Sequence, residues 1–172
     1  MTVVPVLETE RLRLRAAEMR DFEAYADYCA SDRSQTVGGP FTRDEAFSQL
    51  CAIAGQWQIY GYGRWIIADK DSEAALGATG VFHPVTWPEP ENAWTVFADA
   101  EGKSIAFEAA TVARDHVYDV LGWPTVISCI TDVNTRSIAL AERMGAKREG
   151  GFVHPKYGPL NIWRHVAPEA RV

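Results

Sequence analysis

The sequence predicts a mixed α/β sheet with helices on both faces. Three observations carry that prediction: segments alternate between period-two and helical spacing along the chain, no repeat or linker interrupts them, and the length of 172 residues is about one domain on a prior of roughly 100 to 200 residues. A single domain over residues 1–172 is therefore expected. With 47% hydrophobic and 23% charged residues the composition is that of an ordinary globular chain able to bury a core.

In residues 11–15 leucine and arginine alternate, so Leu12 and Leu14 share the core face of a strand and the arginines face solvent. Asp21 opens a helix whose Phe22, Tyr25, Ala26 and Cys29 fall on one side. A second helix is announced by the capping box Thr42-Arg43-Asp44-Glu45, with Phe41 set to staple against Ala46 and Phe47, Leu50, Ala54 and Trp57 as the core stripe. Residues 60–63 break it. A β-rich run over 64–69 then turns through 70–73 into 75–82, a hairpin.

Pro84, Pro88 and Pro90 enforce an irregular loop before a strand over 93–98. Residues 102–121 read as a helix with Ile105, Ala109, Val112, Val117 and Val120 on its apolar face, stopped by Gly122 and Pro124. A short apolar strand over 126–130 precedes a helix over 134–144, capped by Asn134 or Thr135 and ended by Gly145. Residues 148–153 and 160–166 form a final strand pair.

The net charge of -6, from 17 Lys+Arg against 23 Asp+Glu, argues against a nucleic-acid partner, which requires a basic surplus. The longest apolar runs, such as residues 65–68, fall far short of the about 20 residues of a membrane span. Residues 1–15 lack the pattern of a secretory signal, so a cytoplasmic protein is expected. Cys29, Cys51 and Cys129 are odd in number and far apart, which reads as buried free thiols. His83, His116, His154 and His165 are equally scattered, so no metal is expected.

The segment able to carry chemistry is the strand over 93–98, the loop after it and the following helix start. Unpaired N–H groups and the positive end of the helix dipole at such a junction suit a phosphate or pyrophosphate. Gly102-Lys103-Ser104 imitates the end of a nucleoside-triphosphate loop, but Phe97 stands where that motif needs its first glycine. The plain alternative is a helix entry with Ser104 as a cap.

Residues 91–109, with Glu91, Trp94, Gly102, Lys103 and Ala106, resemble the acetyl-CoA-binding segment of GNAT-family N-acetyltransferases of the RimJ/RimL-like branch. Asn134, Ser137, Leu140, Glu142 and Gly145 reproduce the spacing of that family's NxxSxxLxExxG helix, and residues 7–15 resemble its opening strand. The resemblance implies acetyl-CoA as cosubstrate and direct transfer to an amine, without a covalent enzyme intermediate. It implies that backbone groups of Val96, Phe97 and Ala98 and the side chain of Asn134 hold the pantetheine arm, while Gly102, Lys103, Ser104, Ile105 and Ala106 wrap the pyrophosphate.

Glu91 aligns with the family's strand-leading glutamate and is the expected general base, with Glu89 and His83 behind it. Many relatives place a tyrosine acid in the last helix. Ala141 stands there in this chain, so Ser137 is the expected acid. Two further departures bear on binding. Glu101 replaces an arginine or glutamine and brings negative charge towards phosphate, and Ser104 replaces a glycine, which a negative φ would permit.

Tyr60, Tyr62, Trp65, Trp87 and Trp94 are candidates for an acceptor pocket, and Arg33 for an acceptor carboxylate. The acceptor itself, a peptide or small-molecule amine, is left open by the fold analogy. A homodimer is allowed for. The rival reading, from the altered loop and the absent tyrosine, is a CoA-binding regulatory module without turnover.

Overall fold

The computed structural model describes residues 2–171. Met1 and Val172, the ends of the domain expected over 1–172, lie outside the described residues. The strands are β1 (Leu7–Glu8), β2 (Leu12–Arg15), β3 (Arg64–Asp69), β4 (Ala75–Phe82), β5 (Glu91–Val96), β6 (Ile127–Ile130), β7 (Lys147–His154) and β8 (Gly158–Arg164). They form one sheet in the order β1-β2-β3-β4-β5-β6-β8-β7, antiparallel throughout except between β5 and β6. The helices are α1 (Phe22–Ala30), α2 (Arg43–Tyr60), α3 (Ile105–Asp119) and α4 (Thr135–Arg143).

The helices divide between the two sheet faces. Ile66 and Ala78 point towards Phe22, Tyr25, Leu50 and Ile53 of α1 and α2. Ile67, Leu12 and Leu14 point the other way, onto Ile105, Ala109 and Ala113 of α3. The last turn of α2 sends Trp57 into this second cluster, where it meets Trp65 edge to face at 4.8 Å. α4 lies beside α3, joined by Arg114 Nη1 donating to Met144 O at 3.0 Å and by Arg143 stacked 3.9 Å over Phe107.

Several boundaries and faces depart from the sequence reading. The opening segment is two antiparallel strands, with Leu7 opposite Leu14, rather than one. Arg15 is buried instead of solvated: its guanidinium forks onto Asp21 through Nη1–Oδ2 at 2.9 Å and Nη2–Oδ1 at 2.7 Å. In α2 the capping box forms as expected, with Glu45 N–H on Thr42 Oγ1 and Thr42 N–H on Glu45 Oε2. Its buried stripe is Ala46, Leu50, Ile53 and Trp57, whereas Phe47 and Ala54 are exposed. Phe47 lies about 100° round the helix from Ala46 and packs at the rim, edge to face with Phe22 at 5.6 Å.

Val120, expected on the apolar face of α3, falls beyond its last turn and is exposed. Of the cysteines, Cys29 is buried, Cys129 half-buried and Cys51 exposed, so the expectation of three buried thiols fails at Cys51. Among the described residues no helix is long and apolar enough to cross a membrane, and no cluster of His, Cys, Asp or Glu side chains could hold a metal ion.

Candidate active site

The site begins where the sheet divides. β5 and β6 share a single register pair, Glu91 with Ile127, and separate beyond it. Successive residues of a strand direct their N–H and C=O groups to opposite edges. Phe97 N–H is bonded to Leu76 O at 2.8 Å on the β4 side, so the backbone groups of Trp94 and Val96 face the open edge. β5 ends at Val96, not at residue 98 as the sequence suggested, and a short 3-10 turn over Ala98–Ala100 carries the chain away.

Below the opening, a cleft of about 450 Å³ runs between the end of β5, the turn before α3 and the exposed side of α4. α3 starts at Ile105, three residues later than the sequence placed it, because Gly102 and Ser104 both adopt left-handed backbone, with φ of +73° and +59°. The negative φ that would make serine harmless at position 104 is therefore not adopted. Its hydroxyl caps nothing either. The double reversal turns the N–H groups of residues 102–107 away from any acceptor, and none has a hydrogen-bond partner among the described residues.

The first helical bond is Glu108 N–H to Ser104 O at 3.1 Å. Arg11 braces the turn from behind, donating to Lys103 O at 3.0 Å and pairing with Glu108 at 2.7 Å. A left-handed non-glycine residue costs roughly 1–2 kcal/mol, and a glycine there adds about 0.5–1 kcal/mol of chain entropy. Ser104→Gly is accordingly expected to leave stability unchanged or raise it by up to about 1 kcal/mol, while Ser104→Val lowers it. Urea denaturation midpoints of the two variants check the sign.

Glu101 does not confront this pocket with a free charge. Arg33 from the turn after α1 and Arg136 from α4 both form ion pairs with its carboxylate. Arg33 is therefore engaged and does not present itself to an acceptor carboxylate as the sequence suggested. Lys103 donates to Asp99 O at 2.7 Å. Arg143 completes the basic rim and reaches Ser104 Oγ at 3.4 Å.

On the other side of the opening, under α1 and α2, lies a second cavity of about 280 Å³. Tyr28, Trp94, Thr95, Asn134 and Ser137 line both cavities and form their common wall. Glu91 stands in the second one, buried, with Oε2 accepting the Cys129 N–H at 2.6 Å. Burial penalises its charged form and pushes the carboxyl from 4.5 to about 7, against the pull of that hydrogen bond and of the Arg64 charge. The neighbouring Cys129 thiol is pushed up by its own burial and by Glu91, so it stays protonated.

Asn134 is the N-cap of α4, its Oδ1 accepting the Ser137 N–H at 3.2 Å. Ser137 Oγ accepts the Trp94 indole N–H at 3.2 Å, which leaves the hydroxyl proton free to be donated into the cavities. Ala141 is fully buried against Ile130, Ala146 and Trp163. Sequence reasoning missed Tyr28, whose phenol is held protonated by burial in the common wall, and the basic pair Arg136 and Arg143. Tyr28 follows Tyr25 by three residues on one helix face. That spacing was its signal.

The structure thus brings Glu91, Val96, Gly102, Ser104, Ile105, Ala106, Asn134 and Ser137 to the two joined cavities. Phe97, Ala98 and Lys103 do not line either one. Of the aromatic candidates, Trp87 and Trp94 reach the second cavity. Trp65 is core, its indole N–H bonded to Pro5 O at 2.7 Å, and Tyr60 and Tyr62 stack near His83 away from it. His83 Nδ1 shares a proton with Tyr62 Oη at 2.7 Å, and Glu89 pairs with Arg164 at 2.7 Å, so neither alternative base enters the cavity.

A sheet splayed at a parallel pair, with an unpaired helix-entry turn on one side and a buried carboxyl on the other, can seat an anionic ligand next to a proton acceptor. The family model described as an acetyltransferase (GNAT) domain matches residues 11–147, and the chain belongs to that family and is an N-acetyltransferase. It is similar to an acetyltransferase from Agrobacterium tumefaciens str. C58, with 34% identity over 95% of both chains and a TM-score of 0.87. A GNAT-family acetyltransferase from Bacillus anthracis, at 20% identity, shares the fold over 96% of this chain and 99% of its own with a TM-score of 0.80. A ribosomal-protein-S5-alanine acetyltransferase from Vibrio fischeri, at 14% identity, does so over 95% and 97% with a TM-score of 0.72.

Proposed function

We propose that the chain transfers the acetyl group of acetyl-CoA directly to a primary amine held beside Glu91, in the manner of the RimJ/RimL-like branch of its family. The observation that supports this most is the junction of two cavities at the β5–β6 opening, one with free N–H groups for an anion and the other with a carboxyl near neutrality. Family membership implies acetyl-CoA, and the residues present fit it. The N–H groups of residues 102–107 and the dipole of α3 suit a pyrophosphate, and the open edge at Trp94 and Val96 suits the amides of an extended pantetheine arm.

Acetyl-CoA supplies an activated acetyl thioester. Glu91 takes the proton of the incoming ammonium, which at a pKa of about 10.4 for a lysine-like amine is almost wholly charged at neutral pH. The N–H groups of Trp94 and Val96 on the open edge stabilise developing negative charge on the acetyl oxygen. As the C–N bond forms and the C–S bond breaks, Ser137, or Tyr28 across the common wall, gives its proton to the leaving sulfur and regains one from the nitrogen, which sheds its second proton to become the amide. Calorimetry with CoA and thiol release from acetyl-CoA over a panel of amines test the reading. Release above hydrolysis with at least one amine supports it, and CoA binding without any release would favour a silent module.

Glu101 tunes the cleft. Glu101→Gln frees Arg33 and Arg136 for phosphate oxygens, and partly exposed pairs of this kind are worth about 0.2–1 kcal/mol. CoA affinity is therefore expected to rise by up to about fivefold, with a steeper dependence on salt. Titration calorimetry at two ionic strengths measures both.

A further inference from the structure

We propose that the acceptor is a small amino carboxylate with an apolar side chain, its carboxylate gripped by Arg64 while its amine meets Glu91. The inference rests on the acetyl-transfer reading and names the substrate class of that site.

Arg64 opens β3 and lines the cavity beside Glu91. Its backbone carbonyl accepts the Trp57 indole N–H at 2.8 Å, which fixes the main chain, and its guanidinium lies 4.6 Å over the Phe82 ring. Among the described residues Arg64 makes no ion pair and no side-chain hydrogen bond, and its Nε is buried without a partner. In the neighbouring cleft Arg33 and Arg136 share Glu101, although Arg33 Nε is also buried without a partner, and Arg143 covers Phe107 and reaches Ser104 Oγ. Leaving a guanidinium donor buried and unmatched costs free energy, and a bidentate carboxylate is the ligand its planar fork fits best.

The sheet register carries the second half of the argument. Arg64 lies opposite Gly80, and Gly80 opposite Ala93, two residues along β5 from Glu91. Arg64 and Glu91 therefore share one face, with backbones separated by about 10 Å across two strands and about 7 Å along them. Gly80 and Ala93 place little side chain between them. Both polar groups can reach inward to one small zwitterion. Tyr25, Tyr28, Trp87 and Tyr157 supply aromatic walls for its side chain. A volume of about 280 Å³ lies at the small end of ligand cavities and suits a single amino acid better than a peptide segment.

The test compares L-phenylalanine with its amide and with phenethylamine, which share the ring and the amine but lack the carboxylate. A charge-assisted hydrogen bond of this kind corresponds to roughly 10- to 100-fold. Wild type is expected to favour L-phenylalanine by that factor in kcat/KM. Arg64→Met is expected to abolish the preference, chiefly through the KM of L-phenylalanine, with Arg64→Lys recovering part of it. Should Arg64→Met fail to fold, competitive inhibition of wild type by 3-phenylpropanoate against its amide asks the same question. Equal use of all three amines, or a preference that survives in Arg64→Met, overturns the inference and keeps the acetyl-transfer reading. Arg64-dependent binding of L-phenylalanine to the CoA complex by calorimetry, with no amine acetylated, keeps the carboxylate site and overturns that reading. Neither binding nor acetylation overturns both.

Discussion

Glu91→Gln is expected to lower turnover about 10²- to 10⁴-fold at neutral pH and at the same time to make the protein more stable. On the proposed mechanism the first effect follows from removing the base that would meet the amine in the second cavity. Acetyl-CoA affinity should hold, because Glu91 faces the acceptor cavity and is absent from the cleft wall. In wild type kcat/KM should rise with pH through about 7, where burial has moved the Glu91 carboxyl, and the variant should lose that inflection and recover activity in alkali.

The second effect follows from linkage. A carboxyl raised from 4.5 to about 7 in the folded state binds its proton more tightly there than in the unfolded chain. Its contribution to stability is full below pH 4.5 and is lost as pH rises through about 7, leaving a buried charge that opposes folding. A rise from 4.5 to about 7 corresponds to about 3 kcal/mol at 1.36 kcal/mol per pH unit. Glutamine keeps an oxygen for the Cys129 N–H and carries no charge. The variant should therefore gain up to about 3 kcal/mol at pH 8 and nothing at pH 4. Denaturation curves at the two pH values decide it, and retained activity at neutral pH would show that Glu91 is only a buried structural carboxyl of a central strand.

Arg15→Met is expected to cost about 3–5 kcal/mol, the other large effect in this molecule. Arg15 and Asp21 have side chains only 6% and 2% exposed and bond through both carboxylate oxygens. Removing the guanidinium leaves a charge in the interior without a counter-ion. For a chain of this size the melting temperature should drop by roughly 6 to 20 °C. Asp21 immediately precedes α1, which carries Tyr25 and Tyr28 into the acceptor cavity, so KM for the amine should rise before the protein melts. Replacing both partners by apolar residues should recover most of the loss, since a matched apolar pair leaves no orphaned charge.

Arg15 also shows where the sequence stops being legible. Period-two alternation placed Leu12 and Leu14 correctly, but alternation alone assigns the opposite side chains to solvent. The neighbouring 3-10 turn that brings Asp21 over β2, together with Glu73 from the β3–β4 turn, makes the Arg15 side burial-competent. In α2, the stripe beginning at Ala46 and the one beginning at Phe47 satisfy the same periodicity. Packing against α1 and the sheet selected the first.

What the sequence by itself determined was the order and type of the elements, the capping box of α2, an N-cap at Asn134 or Thr135 and the family. Each rests on spacing within a few residues, which local geometry reads directly. Which charges are answered and which are not was decided by tertiary structure. Glu101, read as a liability for phosphate, lies between Arg33 and Arg136, while Arg64, unremarkable in the sequence, is a guanidinium without an ion pair in the cavity of Glu91. Ser104 belongs with these cases, since its left-handed backbone is set by how the chain leaves β5 and enters α3 under the brace of Arg11, 93 positions earlier. The reason is common to all of them. Coulombic pairing and burial depend on separation in space, and residues that are neighbours across the β5–β6 opening are far apart along the chain.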